Sequence, residues 1–575
     1  MGYQKITTAE RADSSFHIRV QAAEKARTRP LVDHLANEDE SLPKKLMSFT
    51  KGLPHDYKTG LIKQEEDFDK FVEGICTGDP FIIKETPLGI QAEGKARWKS
   101  SKGKKINKIR AWESAGAGLT FDLQGPDAQA VTMPPAPALG SAELTAEMAE
   151  VYCQAVLRDI PFSEFPTHPK VQQCLDILNK FDYFKQNERN DQPLTIDTIF
   201  RGFTKGDKVG PYISQFLLAG NNGLSENGQE AEFKAREGKI NYGAITIDQR
   251  VRRAKAINYL TSWPEFYDVQ NGADFGGTEV YVGAERRFIT SGRDLATYVH
   301  YDALYQAYLN ACLLLLNTNA PFDPGVPFQV ADEKDKQRGF AQYGGPHILT
   351  LVTEVATRAL KAVRYQKFNI HRRLRPEALG ARMHKKIAIL KSLPDWSESD
   401  KLKQTYETLK SNGVFGLLDK NNLLPMAFAE GSPMHPTYGA GHATVAGACV
   451  TILKAFFDHN LNVNIDKAGD SISFSKEAGK YAFVPEANGY SLLTVPTSES
   501  LTLSGELNKL AANISIGRDW AGVHYYSDYK NSLLMGEAIA IGLLEEQSLT
   551  YNPAEFFSLT LPKFNGETIN IPFHF

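Results

Sequence analysis

The segment from Asp302 to Asn317, DALYQAYLNACLLLLN, is apolar nearly all the way round a helix of 3.6 residues per turn. A helix without a polar face has to be enclosed on every side. A chain that carries one therefore needs further helices to surround it, and the sequence supplies them. Ser141 is placed to cap a helix through ELTAEMAEVYCQAVLRD, with Leu144, Met148, Val151 and Tyr152 on one face. Helical spacing recurs over Ile348–Phe368, His442–Phe457, Leu501–Ile516 and Ser532–Glu546. Short strands are expected near Tyr281–Ile289 and at the C-terminus, and residues 1–140 read as loop-rich. The expected fold class is all-α, with two helical bundles and minor short strands. The expected division places an N-terminal part with wrapping segments at 1–330 and a second bundle at 331–575.

Several classes are excluded by composition. The formal net charge of −3 does not suggest nucleic acid as the main partner. One basic stretch, Lys95–Arg110, reads as a solvated loop or, alternatively, a phosphate-binding patch. Five widely spaced cysteines without a CxxC argue against a disulfide framework or a zinc ribbon, and suggest buried free thiols. The N-terminus lacks a signal-peptide core, and no apolar run is long enough to span a bilayer. The expectation is a cytoplasmic protein without a membrane partner.

Three segments carry chemistry. In KFNIHRRLRP, Lys367 and Arg375 stand eight apart. Pro376 disfavours the α conformation at Arg375, so Lys367 belongs near a helix end and Arg375 on the extended turn after it. In SPMHPTYGAGHATVAGACV, Gly439 and Gly441 allow a tight turn before a helix that opens near His442. Free amides at such a start bind anions. In GRDWAGVHYYSDY, Arg518 supplies a fixed charge and a planar donor fork, and His524 can be a neutral metal ligand. Each segment alone also has a bland reading: a basic helix end, a helix cap, a turn. Together they gather three cations, an amide nest and two histidines, which calls for a multiply charged anion such as phosphate or vanadate.

The joint pattern, Lys-x7-Arg-Pro, then Gly-His opening a helix, then Arg-x5-His-x3-Asp ending at Asp528, resembles the vanadium-dependent haloperoxidases. Their superfamily also includes acid phosphatases and type 2 phosphatidic acid phosphatases. Similarity is greatest to the red-algal and cyanobacterial bromoperoxidases, with motifs over residues 340–545. The resemblance implies that His524 ligates vanadium. It assigns the oxyanion to Lys367, Arg375, Arg518 and the Gly441 amide, and acid–base work to His442. Arg364 and His435 match positions on the halide side, which favours bromide and iodide. Ala440 stands where the family usually has a serine, so a hydroxyl that would bond the oxyanion is missing. The implied activity is oxidation of halide by hydrogen peroxide, yielding a hypohalous-acid equivalent that halogenates a small organic acceptor. The alternatives are an acid phosphatase using the same pocket, with His524 as nucleophile, or a non-catalytic oxyanion-binding scaffold. The resemblance also implies a homodimer or higher symmetric homo-oligomer. It further implies a structural calcium ion in the loop Phe328–Gln337, where Asp332 and Asp335 stand; an ordinary acidic surface loop is the other reading.

Overall fold

A computed structural model describes residues 6–90, 108–185, 192–221, 233–329, 336–393 and 399–572. Helices dominate. The strands form five antiparallel two-stranded pairs among the described residues. One pair joins Val251–Ala254 to Tyr281–Arg287 and another joins Leu559–Pro562 to Thr568–Ile571, where short strands are expected from the sequence. No described helix is long and apolar enough to cross a membrane.

The centre is a group of helices buried almost all round. In Gly441–Phe456 every residue from Ala443 onward is buried. Leu503–Ala521 is buried along nearly its whole length. Tyr526–Ser548 follows it after a short turn at Gly522, whose φ of 85° suits glycine. Gly345–Tyr365 lies against the Gly441 helix with its apolar stripe of Ile348, Leu351, Val352, Val355, Ala359 and Val363. Gly292–Tyr301 packs on Leu503–Ala521, and its first residue lets the Trp520 ring come so close that a Cβ there would sit 2.3 Å from Cε3.

Glycine also sets the spacing of the two helices in most extensive contact. A Cβ on Gly447 would lie 2.0 Å from the Leu533 carbonyl oxygen, and one on Gly536 would lie 2.1 Å from that of Thr444. Each helix thus presents a glycine to the other's backbone, and the obstructing atoms are main-chain atoms that cannot swing aside. One continuous apolar cluster runs from Leu42 to Ile571, so residues on both sides of position 330 share a core.

Several sequence expectations need adjustment. The apolar segment begins its helix at Gln306, not Asp302; Asp302 is the C-cap of the preceding helix. The interior placement holds, with Ala307, Tyr308 and Asn310–Leu315 buried. The region before residue 140 is less loop-rich than expected. Thr8–Arg27 is a helix opened by a capping box between Thr7 and Glu10, and Glu65–Thr77 is another. Of the five cysteines, Cys76 is exposed and four are buried. Ser141 does cap its helix, accepting from the Leu144 amide. The basic stretch is described only over Lys108–Arg110, and Asp332 and Asp335 lie outside the described residues.

Gly447→Ala is expected to destabilise the protein by about 1–3 kcal/mol or more, because the added methyl meets fixed backbone. Gly416→Ala is the control, since a Cβ there meets nothing within 4 Å. Thermal melting of both variants checks this: equal melting temperatures would mean that the helix contact is not tight.

Candidate active site

The three motif segments converge. Gly345–Tyr365 ends in a wider π-helical turn, Gln366–His371, which carries Lys367 into the interior. Arg375 has extended backbone (φ −74°, ψ 152°) and is the N-cap of Pro376–Ser392, as the following proline requires. Gly441 opens its helix, so its amide is among those with no partner within the helix. A Cβ on Gly441 would meet only Leu360 Cδ2, at 3.8 Å, so space lies in front of that backbone. Arg518 is in the last turn of Leu503–Ala521, and His524 lies just before Tyr526–Ser548.

Lys367, Gly441, His442, Arg518, His524, Arg364 and His435 line one cavity of about 360 Å³. Arg375 stands behind this wall. Its Nη1 donates to the Val523 carbonyl (2.7 Å) and to His524 Nε2 (3.0 Å), and its Nη2 donates to His435 Nδ1 (2.8 Å). Ala440 is buried as the helix N-cap and is not part of the cavity wall; its amide donates to Ser532 Oγ at 2.7 Å.

The cations here are bonded to neutral acceptors. Lys367 Nζ donates to the Pro436 (3.0 Å) and Thr437 (3.3 Å) carbonyls. Arg518 Nη1 donates to Val299 O at 2.6 Å, while its Nε is buried without a partner. Burial, then the charges of Arg375 and Arg364, hold the Lys367 ammonium well below its ordinary pKa. Burial lowers Arg375 to about 9 and Arg518 to about 10. A cluster this strained toward losing protons is one that an anion would relax.

His524 is held in one tautomer. Its Nδ1 lies 2.8 Å from Asp528 Oδ2 and 3.0 Å from Thr437 Oγ1. Because a carboxylate only accepts, Nδ1 carries the proton and Nε2 keeps its lone pair. Burial and then the Arg375 charge push the ring's pKa well down, so it stays neutral. Asp528 is itself tied to Arg373 Nη1 at 2.8 Å. Burial pushes the Asp528 carboxyl up, but Arg373 and the His524 N–H outweigh it and hold it below the usual carboxylate range.

His442 has an analogous support: its Nε2 is 3.1 Å from Asp302 Oδ1. Burial lowers its pKa, and the Asp302 charge opposes that. At the mouth, Arg364 is bonded to Glu113, whose other oxygen is 3.5 Å from His435 Nε2. Burial, then the charges of Lys367 and Arg375, keep His435 neutral far below its ordinary pKa.

The structure brings together the residues named for the oxyanion and halide, except that Arg375 is set back and Ala440 lies off the wall. Sequence reasoning missed the supports Asp302, Thr437, Arg373 and Glu113. Asp528 four residues after His524 was the one local signal; Asp302 and Glu113 come from distant segments that no spacing connects.

Buried cations and a helix-opening amide at the ends of a helical bundle surround one cavity, beside a histidine held by a carboxylate. The comparisons name the family. A model described as the VCPO second helical-bundle domain matches residues 398–550. The vanadium-dependent bromoperoxidases of Corallina officinalis and Corallina pilulifera are each 46% identical over 99% of this chain and 100% of their own. The solved homohexameric second vanadate-dependent bromoperoxidase of Ascophyllum nodosum has a TM-score of 0.79 at 26% identity, covering 99% of this chain and 91% of that one. The chain belongs to the vanadium-dependent haloperoxidase family.

Asp528→Asn should cost about 3 kcal/mol, by weakening a buried ion pair with Arg373. In the parent, the folded pKa of Asp528 is depressed. Its stabilisation is therefore complete above the unfolded value of about 4 and is lost as pH falls through the lower folded value. Melting curves from neutral to acid pH test both: the gap between parent and variant should be widest near neutrality and close in acid.

Proposed function

We propose that the protein is a vanadate-dependent haloperoxidase that oxidises bromide or iodide with hydrogen peroxide, releasing a hypohalous-acid equivalent to a small organic acceptor. The observation that carries this reading is the unprotonated His524 Nε2, which accepts from Arg375 Nη1, beside buried Lys367, Arg375 and Arg518, which are bonded to neutral acceptors. The residues fit vanadate: Arg518 Nε is an orphaned buried donor, and the backbone at Gly441 is open. Bound vanadate supplies a Lewis-acidic centre that activates peroxide toward halide without changing its own oxidation state.

The protein's part is electrostatic. His524 presents its Nε2 lone pair, with Asp528 and Thr437 holding the ring. Lys367, Arg375, Arg518 and the Gly441 amide offset the oxyanion charge in a site shielded from water, where each donor counts for more than it would in solvent. His442 donates Nε2–H to Asp302, which leaves Nδ1 as the nitrogen available for proton exchange. The reaction consumes a proton, and a histidine kept neutral by burial but tied to a carboxylate can take one up and return it.

Arg364 and His435 we assign to the halide approach, with Glu113 as the carboxylate that occupies them before halide arrives. In this reading residues 331–575 carry the oxyanion cradle, and residues 1–330 close it with Glu113 and Asp302. The homohexameric relative supports a homo-oligomer. So does the Thr8–Arg27 helix, none of whose residues is buried, followed by Leu31 at 98% exposure. A structural calcium near Asp332 and Asp335 completes the proposal.

His524→Ala, loaded with vanadate, should lose bromination of a phenolic dye while keeping its melting temperature within a few degrees. Hydrolysis of p-nitrophenyl phosphate is measured beside it. Unchanged turnover in the variant, or phosphate hydrolysis without halide oxidation in the parent, sinks the assignment.

Glu113→Gln should lower the bromide KM roughly fivefold, since removing a partly screened negative charge beside Arg364 is worth about 1 kcal/mol to an incoming anion. Vanadate affinity should change little. An unchanged KM would remove Glu113 and Arg364 from the halide path.

A further inference from the structure

One group outside the cation cluster gathers metal-ligating atoms: Glu279, His300 and Glu430, whose ligand atoms all lie within 4.8 Å of one another. They come from three separate parts of the chain. Glu279 precedes the strand Tyr281–Arg287, His300 is in the last turn of Gly292–Tyr301, and Glu430 lies in the irregular segment before Gly441.

Each carboxylate is anchored through one oxygen only. Glu279 Oε1 accepts from the Ala429 amide at 3.3 Å, and Glu430 Oε1 faces His300 Nε2 at 2.6 Å. The second oxygen of each, Oε2, is buried and has no hydrogen-bond partner. Glu430 as a whole is only 7% exposed. The His300 ring is fixed by stacking on Phe428, with centroids 3.8 Å apart and planes 12° apart. Two bare carboxylate oxygens held together out of water require a positive charge between them, either a proton or a cation.

A proton shared by the glutamates would answer the pair of oxygens and leave His300 bonded to Glu430 alone. A divalent ion uses all three groups, and two carboxylates with a neutral imidazole make its site electrically neutral. A tetrahedral ion with bonds of about 2.0–2.2 Å spaces its ligand atoms about 3.4 Å apart, within the observed span. An imidazole nitrogen with two carboxylates suits zinc and its neighbours in the transition series. Calcium and magnesium take all-oxygen shells. His300 and Glu430 also line the cavity that holds Lys367 and His524, so a fourth position would open toward it.

We infer that Glu279, His300 and Glu430 form a binding site for one divalent transition-metal ion, zinc by preference, in the wall of the anion cavity. This site is separate from the oxyanion cradle, and a cation there would neutralise Glu430, which lines the anion cavity, together with its neighbour Glu279. Carboxylates and imidazole bind a metal in their deprotonated forms, so the ion's affinity should rise with pH.

The test is a titration of tag-free, vanadate-loaded protein with zinc alone, by calorimetry and by metal analysis after dialysis. One zinc per chain is expected, with binding that tightens as pH rises. Glu279→Gln and His300→Ala should each weaken it at least 100-fold. Cobalt substitution of the unaltered protein adds a readout that no variant's folding can spoil: a visible spectrum of four-coordinate cobalt with a nitrogen and oxygen shell. Zinc binding equal in parent and variants would overturn the inference. So would the absence of stoichiometric zinc together with an infrared band of a protonated carboxyl that Glu279→Gln removes. Neither outcome decides whether the protein brominates, so this site and the proposed activity stand or fall separately.

Discussion

Two helices meet backbone to backbone at Gly447 and Gly536, and the position of the site follows from that contact. A helix pair normally stands 8–10 Å apart, held off by side chains. Here the main chain of each occupies the place where the other's Cβ would be. Neither helix can slide or roll without a clash, so their first turns are fixed relative to one another. Those first turns are where the chemistry lies. Gly441 and His442 open one helix, and His524 to Asp528 lead into the other. Rigid packing deep in the bundle is thus what places an amide and two histidines on the wall of one cavity, with the Asp528 carboxylate held against His524.

The charges sort into two populations. Arg373 is buried and paired with Asp528 and Glu147, and its charge is fully answered by the protein. Arg372 is answered by Glu40. Lys367, Arg375 and Arg518 have carbonyl oxygens and imidazole nitrogens instead of close carboxylates. Desolvating a cation without a counter-charge is expensive, and the lowered pKa values of all three record that cost. Arg158 and Arg382 bear the same cost on neutral acceptors elsewhere in the core, so the cost alone does not mark a ligand site. The acceptors separate Lys367, Arg375 and Arg518 from Arg372 and Arg373, and the cavity beside them separates them from Arg158 and Arg382.

That distinction explains what could be read from the sequence and what could not. Helical periodicity located the principal helices, and the proline after Arg375 foretold its extended backbone. The glycines before His442 marked a helix opening that the structure contains. Within HRRLRP, however, three arginines look alike, and only the partners Glu40, Asp528, Glu147 and His524 tell them apart. The Asp302 boundary is not legible because apolar periodicity continues through the short turn between two helices. The carboxylate that supports His442 sits at that turn, 140 residues away in sequence. The Thr8–Arg27 helix carried a legible capping box but no apolar stripe, since it buries nothing in the chain itself.

The arrangement of charge along the cavity gives it a direction. At the mouth, Arg364 is matched by Glu113, which is partly exposed and also approaches His435. At the floor, Lys367 and Arg518 have no carboxylate bonded to them, and His524 is neutral. An anion entering from solvent passes a region where positive charge is already compensated, then one where it is not. The attraction strengthens inward as water is excluded and the effective dielectric falls. On the proposed function, a small monovalent halide that displaces Glu113 from Arg364 would lose less by hydration than a multiply charged oxyanion, and would lodge near the mouth. The oxyanion would use the full set of donors on the floor. One cavity would then hold two anions at different depths, with Glu113 as the group whose displacement separates the outer position from the inner one.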